Sequence, residues 1–400
     1  FRGDGIQMVT AELVKIPEGW SQTNLQKITT EIGDGIHSTP KYVKQSQIFF
    51  INGNNLIQDF IKILDNTKRI DELEFKKHQK NINENTLLLS INGTIGNLAF
   101  YKNEKVVLGK SIAYINLQKN IIEKLVFYFL KSNFVKNFIH DELTGSTIKN
   151  LSLGTIRKIP IILPNDDKEQ QKIVQILSDT NELVKQLDYL ITKKKNIKRG
   201  TMQELLTGKR RLEGFSEEWE VKTLEEITNC MDNLRIPLNN AQRLKMNGNI
   251  PYCGANGVLD FVNDYVIDDD FILIAEDGGH FNEYQSRPIA YKMSGKCWVN
   301  NHAHILKSKE GFNQDFIFYS LVHKNIKRFL VGGTRSKLNK SEMYRIEINI
   351  PTDIEEQIRI TNIISDMDSE IEQLETKRDK YVMIKNGMMQ KLLTGEIRLT

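Results

Sequence analysis

Cysteine is scarce in this chain. Three residues in 400, Cys230, Cys253 and Cys297, all lie in the second half and none forms a CxxC pair. That excludes a disulfide framework and the usual paired-cysteine zinc sites, and it fits a reducing compartment. Long apolar runs are missing as well, so no segment is a candidate membrane span. The opening FRGDGIQMVT has no secretory hydrophobic stretch, and Met8 reads as a candidate start. Together these point to a cytoplasmic protein with no membrane partner. Charge of one sign is not in excess: 55 basic against 51 acidic side chains leave +4, which permits a nucleic-acid partner without demanding one.

Catalytic signatures are also lacking. No two prolines are adjacent, so there is no DPPY-type loop for amino methylation. Gly109, Lys110 and Ser111 resemble the end of a phosphate loop, but position 104 is Glu where that loop needs Gly. There is no GxGxxG, and no GxSxG nucleophile elbow. Cys297, His302 and His304 form CxxxxHxH without a fourth ligand, and the two histidines alternate on a strand. No catalytic residue, metal or cofactor is therefore assigned to this chain.

What is present is a repeat. QELLTGKRRL (203–212) returns as QKLLTGEIRL (390–399), identical at 7 of 10 positions and displaced by 187 residues. Carried backwards without a gap, residues 167–212 match 354–399 at 20 of 46 positions. IPEGWSQTNLQKIT (16–29) resembles FSEEWEVKTLEEIT (215–228), and TGSTIKNLSLGTIRKIPIILP (144–164) resembles VGGTRSKLNKSEMYRIEINIP (331–351). The chain is thus duplicated: a globular unit at 1–165, a helix region at 166–212, a second globular unit at 213–352 and a second helix region at 353–400.

Residues 167–207 read as one helix. Asp166 and Glu169 have capping-box spacing at its start, and Gly208 is a stop. Ile173, Ile176, Leu183, Leu187 and Leu190 follow the alternating three- and four-residue steps of a coiled-coil seam. Ile360, Ile363, Met367, Ile371 and Leu374 repeat the stripe less regularly. A rod of 41 residues spans roughly 60 Å. An amphipathic helix packed only on its own unit is one reading; a partnership between the two copies is favoured by the length and the seam. The pair should be antiparallel, because a parallel pair would force the second unit to span the whole rod. That places two similar units at opposite ends of a spacer, related by a pseudo-twofold axis. The lysine run Lys193, Lys194, Lys195, Lys198, Arg199 reads either as a DNA-facing stretch or as a solvated or partner-facing surface, the latter favoured because the second copy lacks the cluster.

Both globular units mix short strands with helices, an α+β composition. NTLLLSI and NLAFY flank the Asn92-Gly93 turn, and DFILIAEDGG reads similarly in the second unit. Loops rich in Gly, Asn, Thr, His and Lys stand out. IGDGIHSTPKY (32–42) is one; GSTIKN (145–150) and GGTRSK (332–337) occupy equivalent places in the two copies. Hydroxyls, cations and backbone amides are what phosphate contacts require.

Two diverged units alternating with two near-identical helices resemble the specificity subunit of type I restriction-modification enzymes. The phrases LLTGKRRL, IGDGIHSTPKY, YCGANGVLDFV and WVNNHAHIL are similar to its segments, and the resemblance covers roughly residues 12–400. It implies that each globular unit is a target-recognition domain reading one half of a split site in double-stranded DNA. It implies that the helices form an antiparallel coiled coil that sets the spacer and docks two modification subunits. Adenine methylation with S-adenosylmethionine would belong to those subunits, and ATP- and Mg-dependent translocation and cleavage to separate restriction subunits, leaving this chain non-catalytic. On this reading Ser146, Thr147, Lys149, Thr334, Arg335 and Lys337 contact phosphates. His37, Ser38, Thr39 and Lys41 in the first unit, and Asn256, His280, Asn300, Asn301 and His302 in the second, contact base edges. The competing reading is a two-module scaffold that binds protein or glycan; steep salt dependence of DNA binding separates the two. A stand-alone enzyme is disfavoured by the missing signatures.

Overall fold

TLLLS has no polar face, and the structure shows why. The computed structural model describes residues 16–144, 150–333 and 336–399. Strand Thr86–Ser90 is buried throughout. It lies in a four-stranded antiparallel sheet in the order Thr29–Asp34, Ile112–Leu117, Thr86–Ser90, Leu98–Phe100. Leu87 and Leu89 face one core with Phe127, Phe129 and Ile161, while Leu88 faces another with Ile51, Leu108 and Tyr114. A sheet covered on both sides needs apolar residues at successive positions, not alternate ones. A three-stranded sheet, Lys68–Ile70, Ile48–Ile51, Val106–Leu108, adjoins it, and Trp20–Asn24 pairs antiparallel with Pro160–Pro164.

These elements belong to a compact unit of residues 1–187 and 377–400; residues 188–376 form a second. The second repeats the plan. Its main sheet runs Thr228–Cys230, Ala303–Ser308, Phe271–Ala275, Ala290–Met293. Ile272 and Ile274 face one core, Phe271 and Leu273 the other. Trp219–Thr223 pairs with Glu347–Pro351 as its counterpart does in the first unit.

Both units contain a piece of each long helix, Asp167–Leu205 and Ile354–Leu393. In the first unit Ile173 and Leu177 share a core with Met389, Leu392 and Leu393. There Lys385 donates to Asn181 at 3.1 Å and Arg398 to Glu169 at 2.7 Å. In the second, Leu205 packs with Ile360 and Ile364, Lys194 pairs with Glu370 and Lys195 with Glu375, each at 2.6 Å, and Lys198 pairs with Asp368. Rising numbers on one helix meet falling numbers on the other, so the two lie antiparallel within each unit. Three residues of the lysine run, Lys194, Lys195 and Lys198, therefore face the second helix, whereas Arg199 bonds Asn196 of its own helix. Their partners in the second helix lie in the acidic stretch Asp368 to Glu375.

Three sequence expectations need correction. The helix stripe is centred one residue later than the expected seam in several places. Ile173, Leu187, Ile360 and Ile371 are buried, but Ile176, Leu183, Leu190, Ile363, Met367 and Leu374 are only half-buried beside buried Leu177, Val184, Ile191 and Ile364. Ile173 and Leu177 must also serve their own globular core, which turns the stripe away from a pure two-helix seam. The helix ends at Leu205, two residues early, with Gly208 at φ +71° beyond it. Finally, Glu169 does not close a capping box. Asp166 accepts from the Lys168 amide, while Glu169 is held by Arg398 and the Leu399 amide.

Candidate nucleic-acid interface

The loops at one end of each main sheet are tied together by the same backbone bonds in both units. In the first, the Ile91 amide donates to the Ser111 carbonyl (2.9 Å) and the Leu151 amide to the Ile91 carbonyl (3.0 Å). In the second, Glu276 bonds His302 (2.8 Å) and Leu338 bonds Glu276 (2.7 Å) in the same sense. Bridges Asn92–Asn150 and Asp277–Lys337 complete the match. Each unit therefore carries a rim built from the loop after its central strand, the turn before the neighbouring strand (Gly109–Ser111 or Asn300–His302) and the segment at Asn150 or Lys337. The backbone scheme is shared; the side chains on it differ.

In the first unit the expected base-contact loop begins beside this rim, since the Ile36 amide donates to the Leu108 carbonyl at 2.8 Å. His37, Ser38, Thr39 and Lys41 are exposed. His37 Nε2 lies 2.8 Å from Asp34 Oδ2, and the Lys41 amide is held by Glu74 at 3.0 Å. That contact, opposed by burial, keeps the Glu74 carboxyl below its usual range. Asn52 leaves no signal in the sequence, Lys110 and Ser111 read there only as the end of a failed phosphate loop, and Asn150 only as the last residue of GSTIKN. Ser111 Oγ accepts from the Gly53 amide (2.9 Å) and donates to Asn52 Oδ1 (3.1 Å), and Lys110 is an exposed cation at the turn. Matching SIAYINL to AHILKS, strand on strand, would have found them; matching glycine-rich loops did not.

In the second unit Asn256, Asn301 and His302 gather at the rim. Asn256 Nδ2 donates to the Gly278 carbonyl at 2.9 Å, and His302 Nδ1 lies 2.7 Å from Asp277 Oδ1 with its side chain 41% exposed. His280, half-buried, sits two residues beyond Gly278. Asn300 corrects the expectation of base contact: it is 4% exposed, and its Oδ1 accepts from the His302 amide at 2.8 Å, bracing the turn. Among the expected phosphate ligands, Ser146, Thr147, Lys149, Thr334 and Arg335 lie outside the described residues. Lys337 is described, and its ammonium pairs with Glu276 Oε1 at 2.8 Å, so it is not a free cation.

Beneath that rim is a charged cluster. Burial pushes the Glu276 carboxyl up, but hydrogen bonds from Lys337 and Arg235 and the charge of His304 outweigh it and hold the group below the usual range. Asp232 is likewise penalised by burial and held low by His304, the Ile305 amide and Arg235. His304 is 1% exposed, with Nδ1 2.6 Å from Asp232 and Nε2 2.7 Å from the Leu338 carbonyl. Cys230 joins this group, its thiol pushed up to about 12 by burial and then by Asp232. Cys297 is elsewhere, its Sγ 3.1 Å from Cys253 Sγ in the apolar core, so the CxxxxHxH residues do not converge. Among the described residues no helix is long and apolar enough to cross a membrane.

Comparison with known proteins agrees with this layout. The family model described as type I restriction modification DNA specificity domain matches twice, at residues 36–199 and 216–380. A putative MjaX specificity subunit of Methanocaldococcus jannaschii is 26% identical over 97% of this chain and 96% of its own length. A putative type I specificity subunit of Haemophilus influenzae is 41% identical, over 35% of this chain and 34% of the relative. The crystal structure of a type I system S subunit from M. genitalium superposes with TM-score 0.63, at 19% identity, over 96% of this chain and 97% of that one. With two matched domains spanning most of its length, the chain belongs to the type I restriction-modification DNA specificity family.

Proposed function

We propose that each unit reads one half of a bipartite, asymmetric site in double-stranded DNA, and that the chain performs no chemistry itself. One observation carries this reading: the same backbone-bonded rim occurs in both units with different side chains on it. A duplicated frame with diverged contacts is what two unlike half-sites require, since phosphate contacts position a protein and base contacts specify the sequence. The long helices, each belonging to both units, fix the number of unread base pairs between the halves and dock two modification subunits. Those subunits carry S-adenosylmethionine and flip the target adenine out of the duplex; separate restriction subunits use ATP and Mg. The complex works in the cytoplasm.

Selection from random duplex DNA, with the modification subunits present, tests the proposal. The expected result is two short specified blocks separated by an unread gap of fixed length. A single contiguous block, or no enriched sequence, overturns it.

A further inference from the structure

We propose that the first unit reads purine edges of its half-site in an asparagine-lined cleft beside the rim, between Tyr42 and Lys68, rather than through the His37–Lys41 loop. This rests on the DNA-reading function proposed above and names the residues that give it specificity. The cleft has a volume of about 300 Å³ and is lined by Tyr42, Phe50, Asn52, Asn54, Asn66 and Lys68, with Asn55 and Thr67 at its base and no carboxylate among them. It adjoins the rim directly, because the Asn52 side chain on its wall bonds Ser111 Oγ of the Gly109–Ser111 turn.

The base of the cleft is fixed and its mouth is free. Asn55 is 3% exposed and fully engaged: Oδ1 accepts from the Asn52 amide at 2.9 Å, and Nδ2 donates to the Lys62 carbonyl and to Thr67 Oγ1 at 2.9 and 3.0 Å. Thr67 Oγ1 in turn accepts from the Leu64 amide at 2.8 Å. Asn54, Asn66, Lys68 and Tyr42, by contrast, are exposed, and their side-chain polar groups have no hydrogen-bond partner among the described residues. Phe50 supports the Tyr42 ring, with centroids 5.9 Å apart. Polar groups held on a rigid base, unpaired and facing no anion, are suited to base edges. A carboxamide offers the adjacent donor and acceptor that match adenine N7 and N6, and an ammonium matches guanine O6 and N7.

The fold does not require this cleft. In the second unit the corresponding loop is Gly254–Gly257. There Leu259 lies over Gly254, so close that a Cβ would meet its Cδ1 at 2.5 Å, and the Tyr291 hydroxyl bonds the Gly254 carbonyl. A leucine, not an asparagine, stands over that turn. Side chains that differ between the two turns suit the reading of two unlike half-sites. The rival loop has its histidine on Asp34 and its backbone tethered to Glu74.

The test repeats the selection with the full chain and its modification subunits, comparing wild type with Asn54→Ala/Asn66→Ala. Discrimination at one or more purine positions of one block should fall by about 5- to 100-fold, with the other block and the gap unchanged. Asn54→Asp and Asn66→Asp supply a gain-of-preference readout, since at least one should shift its position towards cytosine, whose N4 donates to a carboxylate. Thermal melting of each variant at the wild-type midpoint confirms folding. If wild type enriches two blocks and both survive these substitutions unaltered, the cleft is not the reader. If wild type enriches no split motif, the DNA-reading function fails and the cleft falls with it.

Discussion

Arg211 grips Glu356 through two parallel hydrogen bonds, Nε to Oε1 at 2.7 Å and Nη2 to Oε2 at 2.8 Å. Arg398 grips Glu169 with the same atoms at the same distances. Each glutamate is 1% exposed, each sits in the first turns of a long helix, and each arginine follows the end of the other long helix. A tryptophan, Trp219 or Trp20, lies under each guanidinium at 5.6 or 5.7 Å. Gly208 and Gly395, at φ +71° and +70°, turn the chain over that ring. The repeated phrase LLTGxxRL is therefore a helix stop plus a guanidinium delivered to a buried carboxylate. Its two occurrences make one lock per unit.

Removing one arginine should loosen only its own unit. Arg211→Met leaves Glu356 buried with the Trp219 indole N–H as its remaining side-chain donor. Breaking a buried pair from one side costs about 3–5 kcal/mol, and partial exposure of the arginine reduces this to about 2–4 kcal/mol. Hydrogen exchange should quicken at Ile354–Ile364 while Thr86–Ser90 keeps its protection. Arg398→Met should invert the pattern. Equal loosening of both units by either variant would show that the locks are not local.

How far the sequence revealed this depends on what signal each feature leaves. The helices and their opposed directions were legible because they are near-copies with long apolar stripes, and connectivity permits few arrangements. The lock was visible only as unexplained identity: nothing in the spacing says that Glu169 reaches Arg398, 229 residues away, instead of capping its own helix. The rim was half-legible. Loop composition pointed to Asn256, Asn301 and His302 separately, and the fold brings them to one rim. Asn300 does not present its side chain, because alternation at a tight turn buries one neighbour of an exposed residue. The cleft was missed because asparagines at 52, 54 and 66 are brought together by strand pairing between Ile48–Ile51 and Lys68–Ile70, a non-local event that composition does not report.

Glu123 gives the first unit a pH dependence of unusual sign. Burial pushes its carboxyl up to about 7 against the opposing charges of Lys102 and Lys124, and its Oε1 has no hydrogen-bond partner among the described residues. A carboxyl raised on folding binds its proton more tightly in the folded state, so its contribution to stability declines as pH rises from about 4.3 to about 7. Glu123→Gln removes that decline. The full shift corresponds to about 3–4 kcal/mol; access to water leaves an expected gain of about 1–2 kcal/mol at pH 8, and little change at pH 4. Urea melts at the two pH values measure it. A variant no more stable than wild type at pH 8 would mean that Glu123 is ionised without penalty.

Lys110 and Lys337 stand at rim segments of their respective units, yet they should respond differently to DNA. Lys337 is ion-paired with Glu276, a carboxylate that Arg235 and His304 also approach; Lys110 is exposed, with no partner among the described residues. A cation that neutralises a phosphate releases a counterion, and each such contact steepens the fall of log affinity with log salt by about 0.9. Lys110→Ala should reduce that slope by about this amount and weaken all duplex sequences alike, because a phosphate contact carries no sequence information. Lys337 neutralises a carboxylate before DNA arrives, so Lys337→Ala should leave the slope nearly unchanged and instead lower the melting temperature of the second unit. Binding isotherms at four or more salt concentrations, with the modification subunits present, distinguish the two. A slope reduced by Lys337→Ala and not by Lys110→Ala would reverse the assignment, and would mean that Glu276 releases its lysine when the duplex docks.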